Sequence, residues 1–232
     1  MSVVKNKLEN FFILIVCFFY FIINGKADKK VTPKKILIIQ SAKLGDMVCT
    51  TPMFRAIKNK FPSVEVVVMG DSVNKQVLEH NSDVDKYIIL EKNDLKKNIL
   101  KIKEVKPDFA CITSPSFLNL AALYLSGIKF ITSPKIENGW SPYETISYKL
   151  LIKISIIVGH KMGSYAPREY LKLLEPIGIF SNDTKKHLGF SKEAEEKVST
   201  FLEKNNINTK RDFIVGISPS AGNKIKKWTE ER

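Results

Sequence analysis

Cysteine is scarce in this chain of 232 residues, and its spacing suits neither a cross-linked nor a metal-bound fold. Cys17, Cys49 and Cys111 lie far apart with no Cys-x-x-Cys, which argues against a disulfide framework or a structural zinc and fits a reducing compartment. Histidine is equally rare. His80, His160 and His187 have no metal-ligand spacing, so neither a metal nor a cofactor is expected. Gln40–Asp46 carries no Gly-x-Gly-x-x-Gly, which disfavours a dinucleotide-dependent oxidoreductase, and nothing resembles a nucleophile elbow. Zinc-finger spacing, RNA-recognition signatures and helix-turn-helix patterns are missing, so nucleic acid is not an expected partner. Repeats and low-complexity tracts are missing as well. Acidic residues are in the minority, 24 against 37 lysines and arginines, for a net charge of +13. Such a basic chain favours anionic partners, phosphorylated ligands or a membrane surface. Its length suffices for one sizeable core, or one domain and part of another.

One long apolar run stands out, Phe11-Phe-Ile-Leu-Ile-Val-Cys-Phe-Phe-Tyr-Phe-Ile-Ile23. As a helix it reaches about 20 Å at ~1.5 Å per residue. A bilayer core is about 30 Å thick, so the run is short for a span. Two readings follow. Lys5 and Lys7 before it and Gly25-Lys-Ala27 after it fit a cleaved signal peptide. Lys26, Lys29, Lys30, Lys34 and Lys35 make the downstream flank the more basic one, which fits an uncleaved anchor that keeps the body on the cytoplasmic side. The anchor is the favoured reading, with membrane contact through residues 8–35 and residues 1–34 as anchor and basic linker.

Strand-like and helix-like segments alternate beyond that linker. Val64–Met69, Lys86–Leu90, Phe109–Thr113 and Ile128–Thr132 read as strands, separated by helix-compatible patterns. The rhythm predicts an α/β fold with a mostly parallel, Rossmann-like sheet over residues 35–190. Trp140–Gly178 departs from it. Tyr143–Val158 reads as an apolar helix, and Pro167–Ile177 as a second helix opened by a proline. Arg168 and Glu169 read as a surface pair. Ser191–Asn205 is a charged helix leading into residues 191–232, the connecting helix and the beginning of a second domain.

Two segments carry the chemistry. The apolar run Ile36-Leu-Ile-Ile-Gln40 empties into Ser41-Ala-Lys-Leu-Gly-Asp46-Met-Val-Cys-Thr50-Thr-Pro52. Open α/β sheets bind ligands at such strand-to-helix turns. Gly45 is expected to ease the bend, and Asp46 puts a carboxylate at the helix entrance, either as chemistry or as a partner of the helix dipole. Pro52 reads either as a first helical residue after a Thr51 cap or as lying in the first turn of a helix already begun at Asp46. Ser114-Pro-Ser116 also sits at the end of a strand. Phe213-Ile-Val-Gly-Ile217 reads as a second buried-type strand. It leads into Ser218-Pro-Ser220-Ala221-Gly222-Asn-Lys224-Ile-Lys226-Lys227-Trp228, a small-residue loop whose amides and lysines suit a diphosphate.

Together these segments resemble glycosyltransferase family 9, the ADP-heptose:lipopolysaccharide heptosyltransferases and their relatives. The resemblance rests on Gly45-Asp46, Thr50 and Pro52, and on the loop leading to Lys226-Lys227-Trp228; Lys227 and Thr229 depart mildly from the family pattern. It implies a GT-B architecture and metal-free, inverting transfer of a heptose or related sugar from a nucleotide-diphosphate sugar, ADP-heptose foremost, to a phosphorylated glycolipid acceptor. Asp46 would be the general base, and Lys43, Gly45 and Thr50 would meet the acceptor or shape the loop. Ser218, Ser220, Ala221, Gly222 and Lys226 would hold the donor diphosphate. In the family a second nucleotide-binding half follows, with an Asp-Ser/Thr-Gly-x-x-His turn. The sequence stops at Arg232, which reads as a fragment or as a truncated, inactive product. The alternative function is a membrane-attached remnant that binds acceptor without turnover.

Overall fold

The computed structural model describes residues 3–218, with side chains from Lys7 onward. The chain divides into two compact units, the first ending at Gly189 and the second beginning at Phe190. The first unit is built on six parallel strands: β1 (Lys35–Gln40), β2 (Glu65–Gly70), β3 (Lys86–Ile89), β4 (Phe109–Ile112), β5 (Ile131–Asn138) and β6 (Ile156–Lys161). Their order is β3-β2-β1-β4-β5-β6, and every pairing is parallel. This is the doubly wound α/β arrangement that the alternating segments predict, and its order reverses between β1 and β4.

Both faces of the sheet are covered, which explains why the central strands read as unbroken apolar runs. Leu37, Ile39, Val67, Met69, Ala110 and Ile112 face one core. That face is covered by α4 (Leu95–Val105), α5 (Phe117–Leu125) and α6 (Ile146–Leu151). Ile36, Ile38, Val66, Val68, Phe109 and Cys111 face the other. There lie α2 (Leu44–Lys60), α3 (Ser72–Leu78) and α7 (Ala166–Leu171). The period of two along each strand thus sorts alternate side chains into two separate apolar cores.

The amino-terminal helix α1 (Val3–Asn24) belongs to the first unit. Cys17 is buried in the α4–α6 core, with Ile13, Leu14, Tyr20 and Phe21 packed beside it. The Tyr20 and Tyr124 rings meet edge-on at 5.1 Å, and the Tyr124 hydroxyl donates to the Gly25 carbonyl at 2.6 Å. Ala27 then bridges to Ser155 and Asp28 to Phe130, so the segment after α1 is pinned at the amino ends of β5 and β6.

Three sequence expectations need correction. Tyr143–Val158 is not one helix: α6 ends at Leu151, a 3-10 turn covers Ile152–Ile154, and β6 begins at Ile156. The β-branched Ile156-Ile-Val158 run takes the open edge of β5 instead of continuing the helix. Pro52 lies well inside α2, which begins at Leu44. It cannot donate to the Val48 carbonyl four residues back, and the Thr51 hydroxyl does so instead at 2.9 Å. Phe213–Ile217 forms no strand; Phe213 is 93% exposed, and the described residues of the second unit hold no other strand for it to pair with. In the second unit, α8 (Lys192–Lys204) follows the Ser191 cap as expected, and none of its residues is buried.

Gly70 ends β2 against the turn that follows β1. A Cβ there would lie 2.6 Å from the Gln40 carbonyl oxygen and 2.5 Å from the Tyr87 hydroxyl. Gly70→Ala is therefore expected to destabilise the fold by about 1–3 kcal/mol, as overpacking does. Urea denaturation of the variant against the parent measures it; an unchanged midpoint would show that the Gln40 backbone yields freely.

Candidate functional site

A cleft of about 1000 Å³ opens over the carboxyl ends of the strands. Its wall is drawn from the residues after β1 (Ser41–Leu44, Asp46), β2 (Asp71), β3 (Leu90–Leu95) and β4 (Thr113–Ser116), and from His160 and Lys161 at the end of β6. Parallel strands all deliver their following loops to the same edge, so the topology alone creates this concavity.

The turn after β1 is shaped by Gln40, which is fully buried. Its side-chain oxygen accepts from the Ala42 N–H at 3.1 Å, and its nitrogen donates to the Thr50 hydroxyl at 2.9 Å. Thr50 in turn donates to the Asp46 carbonyl at 2.8 Å. Asn74 of α3 donates to the Ala42 carbonyl at 2.8 Å, and Asn119 of α5 to the Ser41 hydroxyl at 3.2 Å. The loop is therefore held from two neighbouring helices as well as from its own strand.

Four carboxylates line the cleft: Asp46, Asp71, Glu91 and Asp94. Asp71 caps α3 and pairs with Lys92; the Lys92 ammonium holds its carboxyl below the usual range. Glu91 pairs with Lys101 at 2.7 Å, and that contact lowers it likewise. Asp94 caps α4 through the Lys97 N–H, the main cause of its lowered pKa, and also meets the Lys97 ammonium at 3.4 Å. Among the described residues Asp46 alone of the four has no cationic partner. It is half-buried in the first turn of α2 and accepts a hydrogen bond from the Tyr170 hydroxyl at 3.3 Å.

Tyr170 is buried, and burial, reinforced by the charge of Asp46, pushes its phenol far above the ordinary range. It stays a donor at any physiological pH. The His160 ring stacks on Tyr170 with centroids 6.1 Å apart. Burial lowers the His160 pKa and Lys172 adds to this, while Glu169 opposes it. The imidazole is thus held toward its neutral form, and its Nδ1 is buried without a partner among the described residues. Glu169 is also buried, which corrects the expected surface pair with the exposed Arg168. Burial opposes its ionisation. The Lys172 ammonium at 2.6 Å and the Lys161 N–H at 2.9 Å outweigh that and hold it below the usual carboxylate range.

Of the residues singled out in the sequence, Lys43 and Asp46 line the cleft together. Thr50 is buried beneath it, its hydroxyl committed to Gln40 and the Asp46 carbonyl, so it shapes the loop. Gly45 is already helical and a Cβ there would meet nothing within 4 Å, so the bend does not require it, contrary to expectation. Ser114 and Ser116 line the cleft, and Ser116 caps α5 through the Asn119 N–H. Ser218 is exposed coil, and Ser220, Ala221, Gly222 and Lys226 lie outside the described residues. Sequence reading missed Tyr170, His160, Asn74 and Asn119. The one signal for the first pair was a histidine and a tyrosine flanking the proline that opens α7.

No protein-family model and no curated protein matches the sequence. The fold is nonetheless that of solved glycosyltransferases. A glycosyltransferase family 9 structure from Veillonella parvula superposes with a TM-score of 0.64 at 19% identity, over 88% of this chain and 59% of that one. ADP-heptose LPS heptosyltransferase II from E. coli gives 0.53 at 17% identity, over 76% of this chain and 52% of that one. E. coli heptosyltransferase WaaC with ADP gives 0.53 at 12% identity, over 66% and 50%. The α/β fold that the resemblance implies is therefore the fold observed. The chain spans between half and three fifths of the length of these relatives.

The Glu169–Lys172 pair generates a pH prediction. A carboxyl lowered in the folded state contributes stability that is present above its unfolded pKa of about 4.3 and lost as pH falls through its folded value. Glu169→Gln is expected to cost about 1–3 kcal/mol at neutral pH, since a buried carboxylate that accepts from the Lys172 ammonium and the Lys161 N–H loses its charge. The difference from the parent should shrink as pH falls below about 4.3 and through the lowered folded value of Glu169, where its carboxyl takes up a proton. Denaturation midpoints from pH 3 to 7 test this; a constant difference would mean that the pair does not stabilise the fold through its charge.

Proposed function

We propose that this chain contributes the acceptor side of an inverting glycosyltransferase that moves a heptose or related sugar from a nucleotide-diphosphate sugar to a lipopolysaccharide-type glycolipid. The observation that carries this reading is Asp46, the one cleft carboxylate left unneutralised among the described residues. A general base must be able to take a proton, and a carboxylate already paired with lysine does so poorly. In the proposed step Asp46 removes the proton of the acceptor hydroxyl as that oxygen attacks the anomeric carbon and the nucleotide diphosphate departs. Tyr170, kept protonated, orients the carboxylate through its hydrogen bond.

Anionic acceptor chemistry has its own support. Lys43 and Lys161 line the cleft and are exposed, and neither is ion-paired among the described residues. The first turn of α2 has no side-chain cap, so its N–H groups add positive potential beside Lys43. Ser218, Ser220, Ala221, Gly222 and Lys226 are proposed to meet the donor diphosphate. Attachment at the cytoplasmic membrane face through α1 is part of the same reading, since α1 holds an 18-residue window, Lys7–Asn24, of mean hydropathy 1.7. An acceptor-binding protein without turnover is the second reading.

Asp46→Asn keeps the size of the side chain and its helix position while removing the base. In a version that carries both halves of the enzyme, transfer from ADP-heptose to a lipopolysaccharide acceptor should fall about 10²–10⁴-fold, the usual contribution of a general base. Circular dichroism of the variant should be unchanged. Equal turnover in a folded variant would reduce Asp46 to a partner of the helix dipole. Acceptor binding without any transfer by the parent would favour the non-catalytic reading.

A further inference from the structure

Helix α1 is apolar on both of its sides, and only one side is used by the protein. Ile13, Leu14, Cys17, Tyr20 and Phe21 follow the three-to-four spacing of a single stripe, and this stripe packs against α5 and α6. Phe11, Phe12, Phe18, Phe19, Ile22 and Ile23 form the opposite stripe, and all are exposed, Phe19 at 61% and Ile23 at 83%. Contact with the domain runs from Ile13 to Gly25, where Tyr124 donates to the Gly25 carbonyl and Lys129 to the Asn24 side chain at 3.0 Å. The segment that would have to cross a bilayer is therefore flanked along most of its length by a folded α/β domain.

A helix docked in this way cannot also be surrounded by lipid. We propose that α1 lies in the plane of the membrane as a fixed part of the domain, with its Phe11–Ile23 outer stripe embedded in an anionic leaflet. The occupant of the stripe is a lipid surface and not a second copy of the chain. Lys7 at one end of the stripe and Lys26, Lys29 and Lys30 at the other are all exposed. Those lysines would repel each other across a self-association interface and attract anionic headgroups. Helix α6, against which α1 packs, extends the same chemistry: Ile146 and Leu150 are exposed one turn apart, with Lys149 and Lys153 exposed beside them. Tyr143, just before α6, lines the cleft and is exposed. The embedded surface thus leads from α1 over α6 to the rim of the cleft, the side from which a lipid-linked acceptor would enter. This rests on the membrane attachment proposed above and specifies its geometry.

Depth measurement separates the alternatives. Nitroxide labels are placed on the full chain at Phe12→Cys, Phe19→Cys or Ile23→Cys in a Cys49→Ser background; Cys17 and Cys111 are buried. With phosphatidylglycerol/phosphatidylethanolamine vesicles, oxygen and nickel-complex collision rates report the depth of each label. An in-plane helix puts all three at a common depth of about 5–10 Å. A spanning helix would separate Phe12 from Ile23 by about 16 Å along the normal, at 1.5 Å per residue, and that gradient would overturn the in-plane geometry while leaving attachment intact. Absence of vesicle binding would overturn both. Labels shielded in a dimer without vesicles would replace the lipid with a second copy. A Phe18→Ser/Phe19→Ser double variant should lose at least tenfold in vesicle affinity with its unfolding midpoint kept, since neither ring contributes to the core; unchanged affinity would also overturn the proposal.

Discussion

Gln40 is a polar side chain at the end of a fully buried strand, cut off from water, and the turn that follows is built around satisfying its amide. An unmade hydrogen bond at such a position costs about 1–3 kcal/mol. The amide therefore fixes the Ala42 N–H on one side and the Thr50 hydroxyl on the other. Because Thr50 also holds the Asp46 carbonyl, one buried group sets both the loop and the first turn of α2. The Asp46 carboxylate inherits its position from this clip. Neighbouring helices add Asn74 and Asn119 at the loop's outer side, so the carboxylate stands on a braced turn and not on a free loop.

The sheet explains why such a turn faces a cavity at all. With helices over both faces, a parallel sheet offers a ligand only its ends, and every carboxyl end lies on one edge. Polar residues that would be costly in the body of the sheet are affordable there. Pro52 illustrates how far the local chain tolerates irregularity near the site. Its missing N–H would orphan the Val48 carbonyl, and the Thr51 hydroxyl fills that role while its oxygen also accepts from the His187 N–H at 3.0 Å. The helix continues through a residue that ordinarily ends one.

Much of this was legible in the sequence where one signal dominated. The β1 run, the strand-to-helix turn and the doubly wound alternation follow from short β-branched stretches ending in polar loops. Residues 143–158 were not legible, because a short helix, a 3-10 turn and a buried strand share one uninterrupted apolar pattern. That misreading concealed His160, which reaches the cleft only because β6 is a strand. Glu169 looked like one half of a surface pair with Arg168. Its real partners are Lys172, a turn further along, and a backbone N–H delivered by β6. Tyr170 was hidden for the same reason: its value lies in a contact with Asp46 across 124 positions of sequence. Phe213–Ile217 had the composition of a strand, and composition alone provides no neighbour to pair with.

Charge in the first unit is sorted by function more than by stability. The pairs Lys92–Asp71, Lys101–Glu91 and Lys97–Asp94 are partly exposed, and such pairs contribute at most about 1 kcal/mol each. Their larger effect is local neutrality: three carboxylates on the cleft wall are cancelled, so an anionic ligand meets no net repulsion there. Among the described residues, what is left uncancelled is Asp46 on one helix turn, Lys43 three residues earlier, and Lys161 at the end of β6. A phosphorylated acceptor would be drawn by the lysines while its hydroxyl met the carboxylate. If α1 lies on an anionic bilayer as proposed, the exposed lysines around it would act at longer range in the same direction and hold the cleft near phosphorylated lipids. On the proposed reading attraction and chemistry fall to different residues: the lysines draw the ligand, and Asp46 is the cleft carboxylate without a cationic partner among the described residues.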